Sequence, residues 1–211
     1  MANSERSLLG LRPLGWPGSA IRINYYQANT GQNLFLYQPV ALNNSGQVQA
    51  QAVIADMSGL LGTIVGFIAT DKAGLPSDMT NLSQAAFMDA LANRCLVAVA
   101  DDPQQLFTLE EDTGGGTVIG SLNSIGNTVT YTFLATTGST VSGISNAVLD
   151  SSTVANDTGG ALTLVKAYDI INEDGTTNNL ANNFAKWVVR INAHQNAPLQ
   201  SGGLFYSMKQ S

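Results

Sequence analysis

The chain has one cysteine and one histidine among 211 residues. A single cysteine excludes a disulfide framework and any cluster of thiolate ligands, and a single histidine excludes paired-histidine zinc motifs. Cys95 lies in the apolar run CLVAVA, where a small buried hydrophobe is the expected role. Charge is scarce too. Asp, Glu, Lys and Arg make up 11% of the residues, against roughly 25% in an ordinary soluble domain. The balance is acidic, with a net charge of -6. Nucleic acid and anionic membrane surfaces are therefore not expected partners. No run approaches the ~20 apolar residues of a membrane-spanning helix. The opening residues also lack the apolar stretch of a secretion signal, so use without Sec export is expected.

What is present is a chain 44% hydrophobic whose polarity comes mainly from Asn, Gln, Ser, Thr and Gly. Residues 1–24 form a stretch of their own. Pro13 and Pro17 withhold backbone donors, and Gly10, Gly15 and Gly18 interrupt any period, so neither a helix nor a paired strand is expected there. Leu8, Leu9, Leu11, Leu14, Trp16 and Ile21 are nevertheless too apolar for a solvated tail. The expectation is an extended arm, packed either on its own body or across a neighbouring subunit.

From Tyr25 onward the punctuation is that of strands. NLFLYQPVAL is followed by the turn NNSG, and VQAQAVIAD and LLGTIVGFIATD continue the pattern. In NTVTYTFLA, Val129, Tyr131 and Phe133 share one face and Thr128, Thr130 and Thr132 the other, a strict period of two. One segment differs. TNLSQAAFMDALANR places Leu82, Ala86, Phe87 and Leu91 at helical spacing after the capping candidates Thr80 and Asn81, which predicts one short helix over about residues 81–93. Many short strands with a single helix predict an all-β protein, an antiparallel β-barrel or a jelly-roll-like sandwich. The body runs from 25 to 195, with possible lobes 25–112 and 113–195, and residues 196–211 form a C-terminal tail.

The stretch AKWVVRINAHQ, Ala185 to Gln195, reads as a half-buried last strand. Trp187, Val189 and Ile191 point inward, and Lys186, Val188, Arg190 and Asn192 face outward. His194 falls just past its end, as an exposed or rim residue. Catalysis there needs a positioned carboxylate or nucleophile, and no G-x-S-x-G or H-E-x-x-H frame supplies one. EEDTGGGT, Glu110 to Thr117, lacks the Lys-Ser/Thr ending of a phosphate loop and carries three acids ahead of its glycines. IINEDGTTNN puts Ile170 where a calcium loop needs its first ligand, so a polar turn is expected rather than a cation held by Asp169 and Asp174. Asp101 and Asp102 are adjacent, hence on opposite faces of a regular strand, and a turn before Pro103 explains them better than a catalytic pair. The residues thus point to no catalytic, cofactor-binding or metal-ligating set.

The order of phrases QPVALNNSGQV, GLLGTIVGFIATDKAG, VADDPQQLFTLEED, STVSGISNAVLDSST and KWVVRINAHQ resembles tailed-phage capsid decoration or cement proteins, over roughly Gln38 to Gln195. The resemblance implies a β-barrel or jelly-roll-like virion protein, made in the bacterial host cytoplasm. Its place would be the capsid exterior at local three-fold sites, as a homotrimer, with the major capsid protein as partner and no enzymatic residues or cofactor. The expected assembly contacts are Leu8, Leu9, Leu11, Trp16 and Ile21 in the arm and Leu204, Phe205 and Tyr206 in the tail. Two other classes remain open. A receptor- or glycan-binding spike would use Tyr25 and Tyr26, and a sugar hydrolase would use Asp101, Asp102 or Glu111.

Overall fold

A computed structural model describes residues 9–15, 20–29, 31–51, 59–69, 86–88, 95–112, 118–139, 141–156, 159–169, 177–181 and 183–197. In chain order the strands are β1 (Arg12–Leu14), β2 (Ile23–Gln27), β3 (Asn33–Phe35), β4 (Pro39–Leu42), β5 (Val48–Ala50), β6 (Gly62–Ala69), β7 (Ala86–Met88), β8 (Cys95–Ala100), β9 (Leu106–Glu110), β10 (Thr128–Gly138), β11 (Ser145–Ala155), β12 (Leu162–Ala167) and β13 (Lys186–Ile191). The protein is all-β, a barrel or sandwich of antiparallel sheets.

Six strands form one sheet in the order β1-β9-β13-β12-β10-β11. It curls into a half-barrel, and hydrogen bonds join its two edges: Gly10 N–H donates to the Ala147 carbonyl at 3.0 Å and Asp112 N–H to the Leu149 carbonyl at 2.9 Å. Its concave side holds Phe107, Leu109, Tyr131, Leu149, Leu162 and Trp187 in one apolar cluster. Five strands form a second sheet, β2-β8-β6-β4-β5, over a separate cluster with Leu34, Val40, Ile64 and Val97. Ala28 bridges to Val48, so this sheet also bends back on itself. The NNSG hairpin forms as expected: Asn43 Oδ1 accepts from Ser45 N–H and Gln47 N–H, and Gly46 takes a φ of 74° that an L side chain resists.

Three sequence expectations change. Ala86–Met88 is a strand paired with Asn33–Phe35, where a helix was expected; the remainder of 81–93 lies outside the described residues. Four apolar residues at helical spacing are a weak signal, and pairing with an available strand edge overrides it. NLFLYQPVAL divides into β3 and β4 because the chain bends at Tyr37, whose φ is 61°. Arg12–Leu14 pairs with β9 despite Pro13, which is tolerated because β1 is an edge strand. CLVAVA and QLFTLEED, read as two successive strands, fall in different sheets, so the chain changes sheets at Asp101–Gln105. The expectation for the side chain of Cys95, at the start of β8, lies outside what is described.

Gly62 opens β6 against the end of its neighbour β8, and a Cβ there would lie 2.0 Å from the Ala100 carbonyl oxygen. Backbone cannot yield as a side chain does. Gly62→Ala should therefore lower stability by about 2 kcal/mol or more, whereas Gly15→Ala, with open space around it, should not; thermal unfolding of the two variants checks this.

Candidate functional site

Three connections converge where the chain passes between sheets: residues 20–22 leading into β2, Asp101–Gln105 between β8 and β9, and Asn192–Asn196 after β13. The third is a strap. Leu60 N–H donates to the Ala193 carbonyl and Gln195 N–H donates to the Leu60 carbonyl, both within 2.9 Å. The Gln195 side chain grips the Leu42 backbone, accepting its N–H at 2.7 Å and donating to its carbonyl at 3.3 Å.

Asp101 is the centre of this joint and is fully buried. Asn24 Nδ2 donates to both carboxylate oxygens at 3.0 and 2.9 Å, the Tyr26 hydroxyl donates to Oδ2 at 2.5 Å, and Asn196 Nδ2 donates to Oδ2 at 3.2 Å. Arg22 Nε approaches Oδ1 at 3.6 Å from a half-exposed side chain. Desolvating a carboxylate is tolerable only when donors replace water. Burial, and then the bond to Asp101, push the Tyr26 phenol above its ordinary pKa, so it remains a donor. Asp102 takes the opposite course, as adjacency requires. It opens a turn through Pro103, its Oδ1 accepting Gln104 N–H at 2.8 Å and its carbonyl accepting Gln105 N–H at 2.9 Å. The two carboxylates thus have separate hydrogen-bond partners.

His194 is buried at 6% exposure, in contrast to the rim position expected from sequence. The β13 strand continues into the Leu60 bridge and carries the ring inward with it. Nδ1 accepts the Asn196 backbone N–H at 3.0 Å. Burial lowers its pKa below 6.5; Asp101 and Asp102 oppose that shift and Arg22 adds to it. Lys186 and Val188 are likewise buried, and only Arg190 of the supposed outer face is exposed. The reason is position: β13 lies between β9 and β12, with Lys186 directly opposite Glu110, and opposite charges facing each other across strands are favourable.

A second buried acid lies at the seam of the half-barrel. Glu111 Oε1 accepts Trp187 Nε1–H at 2.6 Å, and Oε2 accepts Ile119 N–H at 3.4 Å. Two donors do not offset its desolvation. Burial raises its pKa from 4.5 to about 7, with Asp112 adding repulsion. Asp112 itself faces away and accepts from the Ser151 hydroxyl at 2.8 Å.

Of the expected assembly contacts, Leu11 is fully buried in its own core and Ile21 packs against that core. Leu9 is half-buried, and Leu8, Trp16, Leu204, Phe205 and Tyr206 lie outside the described residues. The arm is thus bound to its own body at Leu11 and Ile21. Among the described residues, exposed large apolar side chains lie on β2, where Ile23 is 43% and Tyr25 59% exposed while Asn24 and Tyr26 turn inward to Asp101, and also at Leu122, Ile125 and Val141 in connections. Asp169 is exposed and lies 3.8 Å from Lys166, and Asp174 is outside the described residues. Among the described residues no three acidic, His or Cys side chains group closely enough to hold a metal ion, and no helix is long and apolar enough to cross a membrane. Comparison with protein-family models, with curated proteins and with solved structures finds no match.

Two outcomes follow from the buried acids. Asp101→Ala leaves the Asn24, Tyr26 and Asn196 donors without their acceptor and should cost about 2–4 kcal/mol in denaturant unfolding, with Tyr26→Phe costing about 1. The folded chain holds the Glu111 proton up to about pH 7, while the unfolded chain releases it near 4.5. Glu111 therefore makes stability fall as pH rises through that window, with the full cost present above it. Glu111→Gln should remove this slope and be more stable than wild type at alkaline pH by on the order of 2 kcal/mol, as read from unfolding curves across pH.

Proposed function

We propose that this chain is a virion structural protein of a tailed phage, binding the outer surface of the head and stabilising it as a cement or decoration protein, as a trimer at local three-fold sites. The observation that carries the proposal is the outer face of β2, where Ile23 and Tyr25 stand exposed on an edge strand whose other face is fixed by Asp101. A preordered apolar strip loses little freedom on binding. Burying two large side chains contributes ~1.5–3 kcal/mol each before ordering costs. Many copies on a fixed lattice multiply a modest contact through effective concentration. The phrase-by-phrase resemblance and the charge-poor composition point the same way. The role is non-catalytic: Asp101 is occupied by its own hydrogen bonds, and Glu111 is turned into the core.

A receptor- or glycan-binding role draws on one observation, the exposed Tyr25 ring, since sugars stack on aromatic faces. Tyr26 does not contribute, because its hydroxyl is committed to Asp101.

Quantitative mass spectrometry of purified virions should find this chain at a copy number comparable to the major shell protein. A copy number far below it favours receptor recognition at a vertex or fibre, and absence from virions removes the proposal. The double variant Ile23→Ser/Tyr25→Ser should bind shells about tenfold or more weakly with an unchanged unfolding temperature.

A further inference from the structure

The strap after β13 is held by two kinds of bond. Those of Ala193 and Gln195 use backbone and amide groups that do not titrate. The bonds of Asn196 run to ionisable side chains, its N–H to His194 Nδ1 and its Nδ2 to Asp101 Oδ2, with its side chain also within reach of the Tyr26 hydroxyl. A ring nitrogen accepts a hydrogen bond only while it carries a lone pair, so the neutral ring has its proton on Nε2. That nitrogen is buried away from other side-chain partners, and the Leu61 backbone beside the ring favours its charged form.

We propose that His194 is an acid-operated latch on the strap: a proton taken up at Nδ1 turns the acceptor of the Asn196 N–H into a competing donor, displaces Asn196 and withdraws its side chain from Asp101. The opening is local. Asp101 keeps Asn24, Tyr26 and Arg22, and Gln195 keeps Leu42 and Leu60, so the joint itself persists while the end of the strap is released.

The groups facing His194 set where this happens. Burial opposes the charged ring, as does Arg22 from the connection into β2. Asp101 and Asp102 from the connection after β8 favour it, as does the Leu61 backbone beside β6, and burial prevails. Tyr26 on β2 stays a neutral donor throughout. A histidine held below its ordinary pKa stabilises the closed form at neutral pH. That contribution declines as pH falls below 6.5 and is gone once pH has passed the lower folded value.

Residue-resolved amide exchange by NMR on the full chain tests the latch, with intrinsic rates corrected for pH. From about pH 7.5 to about pH 5, opening at Asn196 N–H should grow by up to about tenfold per unit below the ordinary histidine pKa, while Gln195 N–H keeps its protection. His194→Asn supplies a non-titrating oxygen that accepts the same N–H, and its Asn196 profile should be flat. Constant Asn196 protection in the wild type overturns the proposal, as does equal acid opening in His194→Asn. Loss at Gln195 in step with Asn196 also overturns it, because that is general unfolding. Imidazole nitrogen shifts provide an independent check: Nδ1 found protonated at neutral pH overturns it as well.

Discussion

The Asp101 carboxylate is the constraint on which the arrangement of the two sheets depends. It lies at the change of sheet between β8 and β9, and its donors come from residues 22–26 and from Asn196, far apart in sequence. An apolar residue there would fill the space but would leave Asn24, Asn196 and Tyr26 to find other acceptors. An asparagine would supply one acceptor oxygen where the carboxylate supplies two. The charge is costly to bury, and the cost is offset only because all of these donors are present together. That mutual dependence fixes the course of the arm, the turn and the strap at once.

Two of the deeply buried acids, Asp101 and Glu111, solve desolvation differently. Asp101 gathers side-chain donors from two segments far apart in sequence. Glu111, inside the half-barrel with one indole and one distant amide for partners, retains its proton towards neutrality. His194 adds an opposing dependence, since acidification charges a buried ring just where it relieves Glu111. The two contributions oppose each other as pH changes, and the single variants separate them.

Local pattern was enough to read much of the fold. The period of two in Thr128–Phe133, the NNSG turn and the turn signal before Pro103 each correspond to an observed element, because each depends on nearby residues. The failures share a cause in long-range pairing. Nothing local in Ala86–Met88 reveals the strand edge it joins, and nothing in Lys186 reveals that β13 has neighbours on both sides. Pro13 reads as a breaker until its strand is known to be an edge. Asp101 gave one faint signal, an acid placed directly after the fully apolar run CLVAVA, at a position where period-two alternation turns it away from Asp102. His194 gave none, because its burial follows from a bridge to Leu60, 134 positions earlier.

The same chemistry links the interior to the surface. Asn24 and Tyr26 commit one face of β2 to Asp101, and alternation then obliges Ile23 and Tyr25 to the other. Their exposure is a consequence of how the joint is built. In a chain with so few charges, Arg22 at the head of this strand is also drawn to Asp101, which leaves no charged residue on β2 itself to discourage association. An edge strand that is apolar, ordered and unguarded is a liability for an isolated monomer and an asset for a protein whose working state is an assembly. The buried carboxylate that organises the fold thus also determines the surface on which the proposed role in a shell rests.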